Sequence, residues 1–200
     1  MSVSRARELL AQAGVEPDRL QRHLLVAAAL REVLGREPIV VGGTAEDLYT
    51  GDVYVETDLD LCGWVSPEEH DLLRSLGFTQ EGRHWFHARS KIAVEFPETT
   101  IDGDEARVVR RAVGSGIAAV IGVDDLYLDR IRQATVDERN PDSEAARAAL
   151  AVALASYEEI DWRYVERLIK ETERDNPPLG KPMRTAHRVV RRRLLAALKR

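Results

Sequence analysis

The sequence predicts an α+β fold: a small mixed β-sheet packed with helices, followed by an all-helical C-terminal region. Two observations predict it. Apolar residues recur at helical spacing over the first 35 residues and again after residue 122. Between these stretches, short β-prone segments are separated by glycine-rich turns. We therefore expect a core of residues 1–121, which includes two N-terminal helices, and a helical region of residues 122–200.

Glycine and proline residues mark the ends of the predicted elements in the first part of the chain. Gly14 and Gly35 each follow a helical apolar stripe, and Pro17 stands where the second helix begins. Ser66-Pro67-Glu68-Glu69 has the pattern of a helix N-terminus. The predicted elements up to residue 77 are helices at 3–13 and 17–34, a strand at 38–41, a short helix at 44–49, a strand at 57–62 and a helix at 66–76.

The spacing of apolar residues changes from helical to strand-like after Phe78, and short strand candidates alternate with turns until about residue 121. Strands are predicted at 85–88, 91–96, 106–113 and 117–121. Helices are predicted at 123–135, 142–157, 161–174 and 183–199. Asn176-Pro177-Pro178-Leu179-Gly180 is the clearest candidate linker, because it combines two prolines with a glycine.

Composition limits the class of protein. The 200 residues are 44% hydrophobic and 32% charged, an ordinary balance for a globular domain. The single cysteine, Cys62, excludes an internal disulfide framework and a multi-cysteine zinc site. The apolar runs are too short to span a membrane, and the N-terminal residues lack the pattern of a signal peptide. We expect a soluble, cytoplasmic protein.

Charge is distributed unevenly along the chain. The segment Lys181–Arg200 carries eight basic residues and no acidic one, whereas the remaining residues carry 21 basic and 34 acidic side chains. A basic terminus on an acidic body is typical of a segment that binds a polyanion, such as RNA, or the acidic face of a partner. The alternative is a helix that packs against the protein's own acidic residues, because the segment also has an apolar side.

Two aspartates lie on one predicted strand. In Thr57-Asp58-Leu59-Asp60-Leu61, side chains alternate between the two faces, so Asp58 and Asp60 share one face while the leucines point into the core. Two neighbouring carboxylates repel each other unless a cation lies between them. Because Mg²⁺ is typically bound by one or two carboxylates together with substrate phosphates, these residues are candidate magnesium ligands. The alternative is an ordinary hairpin with both aspartates in solvent.

A glycine turn precedes the aspartates. The predicted strand at 38–41 ends in Gly42-Gly43 and continues into a helix, an arrangement in which backbone amides can approach a phosphate closely. Thr44 can add a hydroxyl contact. One loop can thus hold a triphosphate while the neighbouring strand holds the metal, which is the minimum apparatus for phosphoryl or nucleotidyl transfer.

A third carboxylate has suitable placement. In the predicted strand at 91–96, Ile92, Val94 and Phe96 share one face and Glu95 lies on the other. If this strand lies beside the aspartate strand, Glu95 can complete a two-metal site or accept the proton of an attacking hydroxyl.

Other chemistry-bearing residues favour structural interpretations. His84 and His87 are three residues apart on a strand and therefore face opposite sides, which disfavours a shared metal. Cys62 has the same parity as the aspartates, but a buried small hydrophobe is the favoured interpretation. Gly114-Ser115-Gly116 lacks the lysine of a phosphate loop and favours a tight turn.

Together, Gly42-Gly43-Thr44, Asp58-Leu59-Asp60-Leu61 and Glu95 within Val94-Glu95-Phe96 resemble the DNA polymerase beta-like nucleotidyltransferase superfamily. The wider run resembles its small bacterial and archaeal branch, which includes abortive-infection and toxin–antitoxin enzymes. The resemblance covers about residues 38–97. It implies that the glycines and Thr44 bind a nucleoside triphosphate, and that Asp58, Asp60 and Glu95 bind two Mg²⁺ ions, with Glu95 as a third ligand or a base.

The resemblance also implies an activity. The expected reaction is magnesium-dependent transfer of a nucleoside monophosphate to an acceptor hydroxyl. An RNA end, especially of tRNA, is favoured by the basic segment, while a protein or small-molecule hydroxyl stays open. An antitoxin protein is a further expected partner. The alternative is a catalytically weak nucleotide-sensing or partner-binding module on the same fold. In toxin-type relatives a later lysine and aspartate also contribute, and their nearest counterparts here are Arg130 and Asp161.

Overall fold

The computed structural model describes residues 2–51, 58–136 and 142–199. It confirms the predicted α+β class, with a mixed sheet and a helical C-terminal part. The chain divides into two compact units, Met1–Ile121 and Gly122–Arg200.

The first unit contains four α-helices and seven strands among its described residues. The helices are α1 (Val3–Ala13), α2 (Arg19–Val33), α3 (Gly42–Thr50) and α4 (Pro67–Ser75), and a short 3₁₀ turn covers Glu105–Arg107. The strands are β1 (Ile39–Val40), β2 (Asp58–Cys62), β3 (Phe78–Glu81), β4 (His84–His87), β5 (Ile92–Glu98), β6 (Val109–Val113) and β7 (Gly116–Val120).

Helix caps explain why the first helices begin where they do. The side chains of Ser2 and Asp18 accept hydrogen bonds from backbone amides in the first turns of α1 and α2. Ser66 and Glu69 form the capping box predicted for α4. Helix α2 packs against several strands and is buried over most of its length, which explains its nearly uniform apolar composition from Leu24 to Leu30.

The sheet has the order β3-β4-β5-β2-β1-β7-β6. Strand β2 lies at its centre, antiparallel to β1 and parallel to β5. Strand β1 is parallel to β7, and the two edges are antiparallel hairpins. Along β2 the leucines are buried and the aspartates are partly exposed, which is the predicted alternation. The predicted first residue of that strand, Thr57, lies outside the described residues.

Among its described residues, the second unit contains four helices connected by turns: α5 (Val123–Gln133), α6 (Glu144–Ala155), α7 (Trp162–Asp175) and α8 (Pro177–Ala197). Its core includes a buried pair in which the hydroxyl of Tyr127 lies 3.0 Å from Nδ1 of His187. Trp162 contacts the Tyr127 ring edge-on. Asp161 caps α7 by accepting backbone hydrogen bonds from Arg163 and Tyr164.

The prediction of a linker at Asn176–Gly180 is wrong, because α8 begins at Pro177. Prolines are tolerated in the first turn of a helix, where their missing amide hydrogen has no intrahelical acceptor. Gly180 lies against the backbone of Thr172 and Glu173 in α7, so closely that a β-carbon would overlap it. The two prolines therefore begin a helix, and the glycine permits close packing between α7 and α8.

Among the described residues, no helix is both long enough and apolar enough to cross a membrane.

Candidate active site

The glycine turn and the aspartate strand meet at one point. Gly42 is the first residue of α3 and has a φ of +61°, a conformation that L-residues with side chains rarely adopt. A β-carbon at this position would overlap Oδ2 of Asp60 and lie 3.1 Å from its Cβ and Cγ. The amide of Val41 donates a hydrogen bond of 3.0 Å to the Asp60 carbonyl. Glycine therefore allows the Asp60 carboxylate to lie against the beginning of α3.

The N-terminal turn of α3 contains the predicted phosphate-binding residues. The first amides of a helix have no intrahelical acceptor and carry the positive end of the helix dipole. Val41, the N-cap residue, supplies no side-chain cap. The turn formed by Gly42, Gly43 and Thr44 thus has the backbone chemistry that favours an anion beside Asp60.

Strand register brings the third predicted carboxylate to the same place. Strands β2 and β5 are parallel, with Asp58 opposite Ala93 and Asp60 opposite Glu95. Paired residues of neighbouring strands point to the same face of a sheet. The structure therefore places Asp58, Asp60 and Glu95 on one face, with Asp60 and Glu95 as direct neighbours.

Glu95 has two basic partners. One of its oxygens lies 3.0 Å from Nε of Arg83, and the other lies 3.1 Å from Nε2 of His84. The position of His84 follows from register, because β4 and β5 are antiparallel with His84 opposite Glu95. The Glu95 side chain is only 12% exposed, whereas that of Arg83 is 75% exposed. A buried carboxylate is thus held by one partly exposed and one strongly exposed basic side chain.

The Thr44 side chain contacts a buried histidine. Its hydroxyl lies 2.9 Å from Nδ1 of His23 on α2, and both side chains are almost completely buried. Burial lowers the pKa of His23 to about 4, with further lowering by Arg19 and Arg22 and an opposing effect of Asp58. His23 is therefore neutral at pH 7. The Thr44 hydroxyl, predicted as a ligand contact, here bonds a side chain of the protein.

Sequence reasoning did not identify His23 or His84 as members of this site. His23 lies in an apolar helix, where a lone histidine gives no functional signal. The position of His84 depends on the pairing of two strands, which local periodicity does not specify. His84 and His87 do lie on opposite faces: His87 is buried, with Nδ1 2.8 Å from the hydroxyl of Ser90.

The donor set of the site fits a hard divalent cation. Three carboxylates share a face beside a helix N-terminus, and the missing side chain of Gly42 lets the Asp60 carboxylate lie against that helix end. Within residues 2–51, 58–136 and 142–199, however, no group of three or more His, Cys, Asp or Glu side chains is arranged to hold a metal ion. Mg²⁺ is often bound by only one or two protein carboxylates together with phosphate oxygens, and Asp58 and Asp60 are a pair of carboxylates on one face of β2.

Other candidates have structural roles. Cys62 is buried, and burial raises the pKa of its thiol to about 11. Gly114 has a φ of +53° and forms a turn with Ser115, whose carbonyl accepts a hydrogen bond from Arg5. In the second unit, Arg130 forms an ion pair with Asp129.

Comparison with known protein families, with curated proteins and with solved structures finds no match for this chain.

Proposed function

We propose that this protein is a Mg²⁺-dependent nucleotidyltransferase, which transfers a nucleoside monophosphate from a nucleoside triphosphate to an acceptor hydroxyl. The observation that carries the proposal is the contact between Gly42 and Asp60, with Asp60 in register with Glu95 on the neighbouring strand. It joins an anion-binding helix N-terminus to a cluster of carboxylates, and both are needed to act on a metal-bound triphosphate.

The first step of the proposed mechanism is binding. The backbone amides of Gly42 and Gly43 donate hydrogen bonds to triphosphate oxygens, and the dipole of α3 favours their negative charge. The hydrogen bond between His23 and Thr44 connects the first turn of α3 to α2. Asp58, Asp60 and Glu95 would hold Mg²⁺, which supplies charge neutralisation at the phosphates.

The second step is in-line transfer. The oxygen of the acceptor hydroxyl forms a bond to the α-phosphorus, and the bond from that phosphorus to the β-phosphate bridging oxygen breaks. Pyrophosphate leaves with the bonding electron pair. Glu95, when it does not bind a metal, accepts the proton of the acceptor hydroxyl as a general base. The pairing of β2 with β5 places Asp60 and Glu95 side by side, where they can orient the reacting groups.

The acceptor that the charge distribution favours is RNA. Helix α8 carries Lys181, Arg184, Arg188 and Arg192 on its exposed surface. At 100° per residue, these four positions fall within a sector of about 80°. Together with Lys199, which is exposed two residues beyond the end of the helix, we name them the basic stripe. A stripe of this kind suits contacts to a phosphate backbone.

The alternative interpretation of the segment as a self-packing helix is supported in part. Within the second unit, Arg184 pairs with Glu173 at 3.0 Å and Arg193 pairs with Asp142 at 2.6 Å. The buried side of α8, which includes Met183, Val190 and Leu194, packs in the core of this unit. Three further parts of the proposal rest only on the family resemblance and the composition: protein or small-molecule acceptors, a cytoplasmic location and a restraining antitoxin partner.

A second candidate function is a nucleotide-sensing module that binds without turnover. One observation favours it: Glu95 is paired with Arg83 and His84. In these contacts the charge of the Glu95 carboxylate is already balanced by Arg83, without a metal ion. Thermal stabilisation by Mg²⁺ with a nucleotide, without release of pyrophosphate for any acceptor, would establish this second function and exclude the first.

The test is incubation of the full chain with each labelled nucleoside triphosphate, Mg²⁺ and candidate acceptors, with pyrophosphate release and acceptor labelling as the measurements. We expect Asp60→Ala to abolish labelling, and Glu95→Gln to lower it about a hundredfold or more, since a general base contributes about 10²–10⁴-fold. The matched controls are Asp71→Ala, at a side chain 92% exposed on α4, and Glu98→Gln, at the exposed end of β5. Unchanged labelling by Asp60→Ala would disprove the proposal.

A further inference from the structure

The turn between β3 and β4 places a basic side chain over the predicted metal-binding face. Gly82, with a φ of +61°, forms this turn, and Arg83 follows it immediately. From there the Arg83 side chain reaches across to Glu95, with Nε 3.0 Å from a carboxylate oxygen. Because three quarters of the side chain is exposed, its position depends on few packing contacts.

The reason for this ion pair lies in the neighbouring carboxylate. Asp60 and Glu95 are direct neighbours on parallel strands, and like charges so placed repel each other. Glu95 is also largely shielded from water, so an opposing positive charge is more effective there than at the surface. Arg83 supplies such a charge, and His84 donates a hydrogen bond to the other oxygen. A divalent cation at Glu95 would serve the same electrostatic purpose, so it and Arg83 compete for one carboxylate.

A displaced Arg83 would have a new partner nearby. A nucleoside triphosphate at the N-terminus of α3 carries several negative charges on the same face of the sheet as Glu95. The planar guanidinium binds phosphate oxygens through two parallel hydrogen bonds, which gives both strength and geometric specificity. The long side chain, anchored on a turn, can reorient without moving the strands.

We propose that Arg83 is a triphosphate-binding residue that neutralises Glu95 in the metal-free protein and transfers to the nucleotide phosphates when a divalent cation binds. This inference rests on the proposed function and adds to it a residue that selects triphosphates over monophosphates. Its distinctive consequence is that one substitution has opposite effects on two ligands: removal of Arg83 strengthens binding of the cation alone and weakens binding of the triphosphate.

The experiment measures binding rather than turnover. Binding of Mn²⁺ alone is followed by electron paramagnetic resonance, and binding of fluorescent adenosine, guanosine, cytidine and uridine tri- and monophosphates is measured in saturating Mn²⁺. For Arg83→Ala we expect Mn²⁺ to bind about two- to fivefold more tightly, since an exposed ion pair contributes about 0.2–1 kcal/mol. We expect the tightest triphosphate to bind about tenfold more weakly, as for loss of a charge-assisted hydrogen bond. Monophosphate affinity should stay within about twofold.

Two variants serve as comparisons. Arg83→Lys keeps a positive charge without the planar fork, so its triphosphate affinity should lie between those of the wild type and Arg83→Ala. Arg110→Ala removes another arginine of the same unit that pairs with a glutamate, Glu37, through two hydrogen bonds. It should alter neither Mn²⁺ nor triphosphate affinity. Equal melting temperatures of wild type and Arg83→Ala verify that folding is intact.

The outcomes separate this inference from the proposed function. If the wild type binds Mn²⁺ and triphosphate, but Arg83→Ala behaves as Arg110→Ala does, the inference is overturned and the proposed function stands. Weaker Mn²⁺ binding by Arg83→Ala, or equal losses for tri- and monophosphates, also overturns it. If the wild type binds neither ligand, both the proposed function and the inference are wrong.

Discussion

Gly42 and Asp60 are placed so closely that the first cannot carry a side chain while the second keeps its position: a β-carbon on Gly42 would overlap Oδ2 of Asp60. The same glycine has a positive φ, so its replacement meets both a steric and a backbone penalty. The beginning of α3 and the carboxylate of β2 are therefore one structural feature, and a change in either should affect the other.

We predict that Gly42→Ala lowers both stability and triphosphate affinity. The positive φ alone costs about 1–2 kcal/mol for an alanine. Gly51, at the other end of α3, provides the matched control: its φ is +78°, but a β-carbon there would meet no atom of the described residues within 4 Å. Urea unfolding should show a larger loss for Gly42→Ala than for Gly51→Ala, and only the former should weaken triphosphate binding. Equal losses for both variants would refute the steric coupling to Asp60.

Local patterns are sufficient to predict the elements of this site. The alternation of Asp58, Leu59 and Asp60 predicts which side chains share a face, and the structure confirms it, because burial on one side of a strand imposes a period of two. The glycine pair predicts a turn into a helix, and α3 begins at Gly42. These features depend on residues close together in the chain, where sterics and periodicity act directly.

The partners of those residues are not predictable in the same way. The pairing of Asp60 with Glu95, and of Glu95 with His84, depends on the order and register of strands that are distant in sequence. Register is set by how whole strands bury their apolar faces and by turn geometry. The start of α8 was not predicted for a different reason. By composition alone, its prolines and glycine indicate a linker. In the structure they form the first turn of a helix, in which Gly180 packs against Glu173.

A second prediction concerns the buried hydrogen bond between His23 and Thr44. Removing one partner leaves a buried polar group unsatisfied, which costs about 1–3 kcal/mol, whereas removing both can be nearly neutral. We expect Thr44→Val and His23→Leu each to destabilise the protein, and the double variant to lose less than the sum of the two. The measurement is a double-mutant cycle of urea unfolding free energies at pH 7. Additive losses would show that the two side chains are not coupled.

A third prediction concerns pH and the second unit. Burial lowers the pKa of His187 to about 4, with Arg191 lowering it further and Glu166 opposing this effect. In the unfolded chain the ordinary value is about 6.5, so between pH 6.5 and 4 the unfolded state binds more protons than the folded state. Stability should therefore fall as the pH falls through this range, by up to about 3 kcal/mol from this group.

His187→Gln tests that assignment. The side chain of glutamine does not titrate, so the unfolding free energy of His187→Gln should depend less on pH between 6.5 and 4 than that of the wild type. His23, whose pKa burial also lowers to about 4, should account for part of the remaining slope. The combined variant His187→Gln/His23→Gln should accordingly be flatter still. An unchanged slope in His187→Gln would contradict the lowered pKa of the buried His187.

The last prediction concerns the basic stripe of α8. Arg188 and Arg192 are exposed, lie one helical turn apart, and form no ion pair within the described part of the chain. If they contact RNA phosphates, Arg188→Gln/Arg192→Gln should weaken binding of a single-stranded oligoribonucleotide. It should also reduce the slope of log K against log salt concentration by about 1.4, because each phosphate contact to a single strand contributes about 0.7. Fluorescence anisotropy over a salt series measures both the affinity and its salt dependence.

The control Arg163→Gln/Lys170→Gln removes two exposed positive charges from α7 of the same unit, so it changes the net charge equally and leaves the basic stripe intact. Equal effects of the two variants would show that RNA responds to net charge alone, and absence of binding by the wild type would remove RNA as the favoured acceptor.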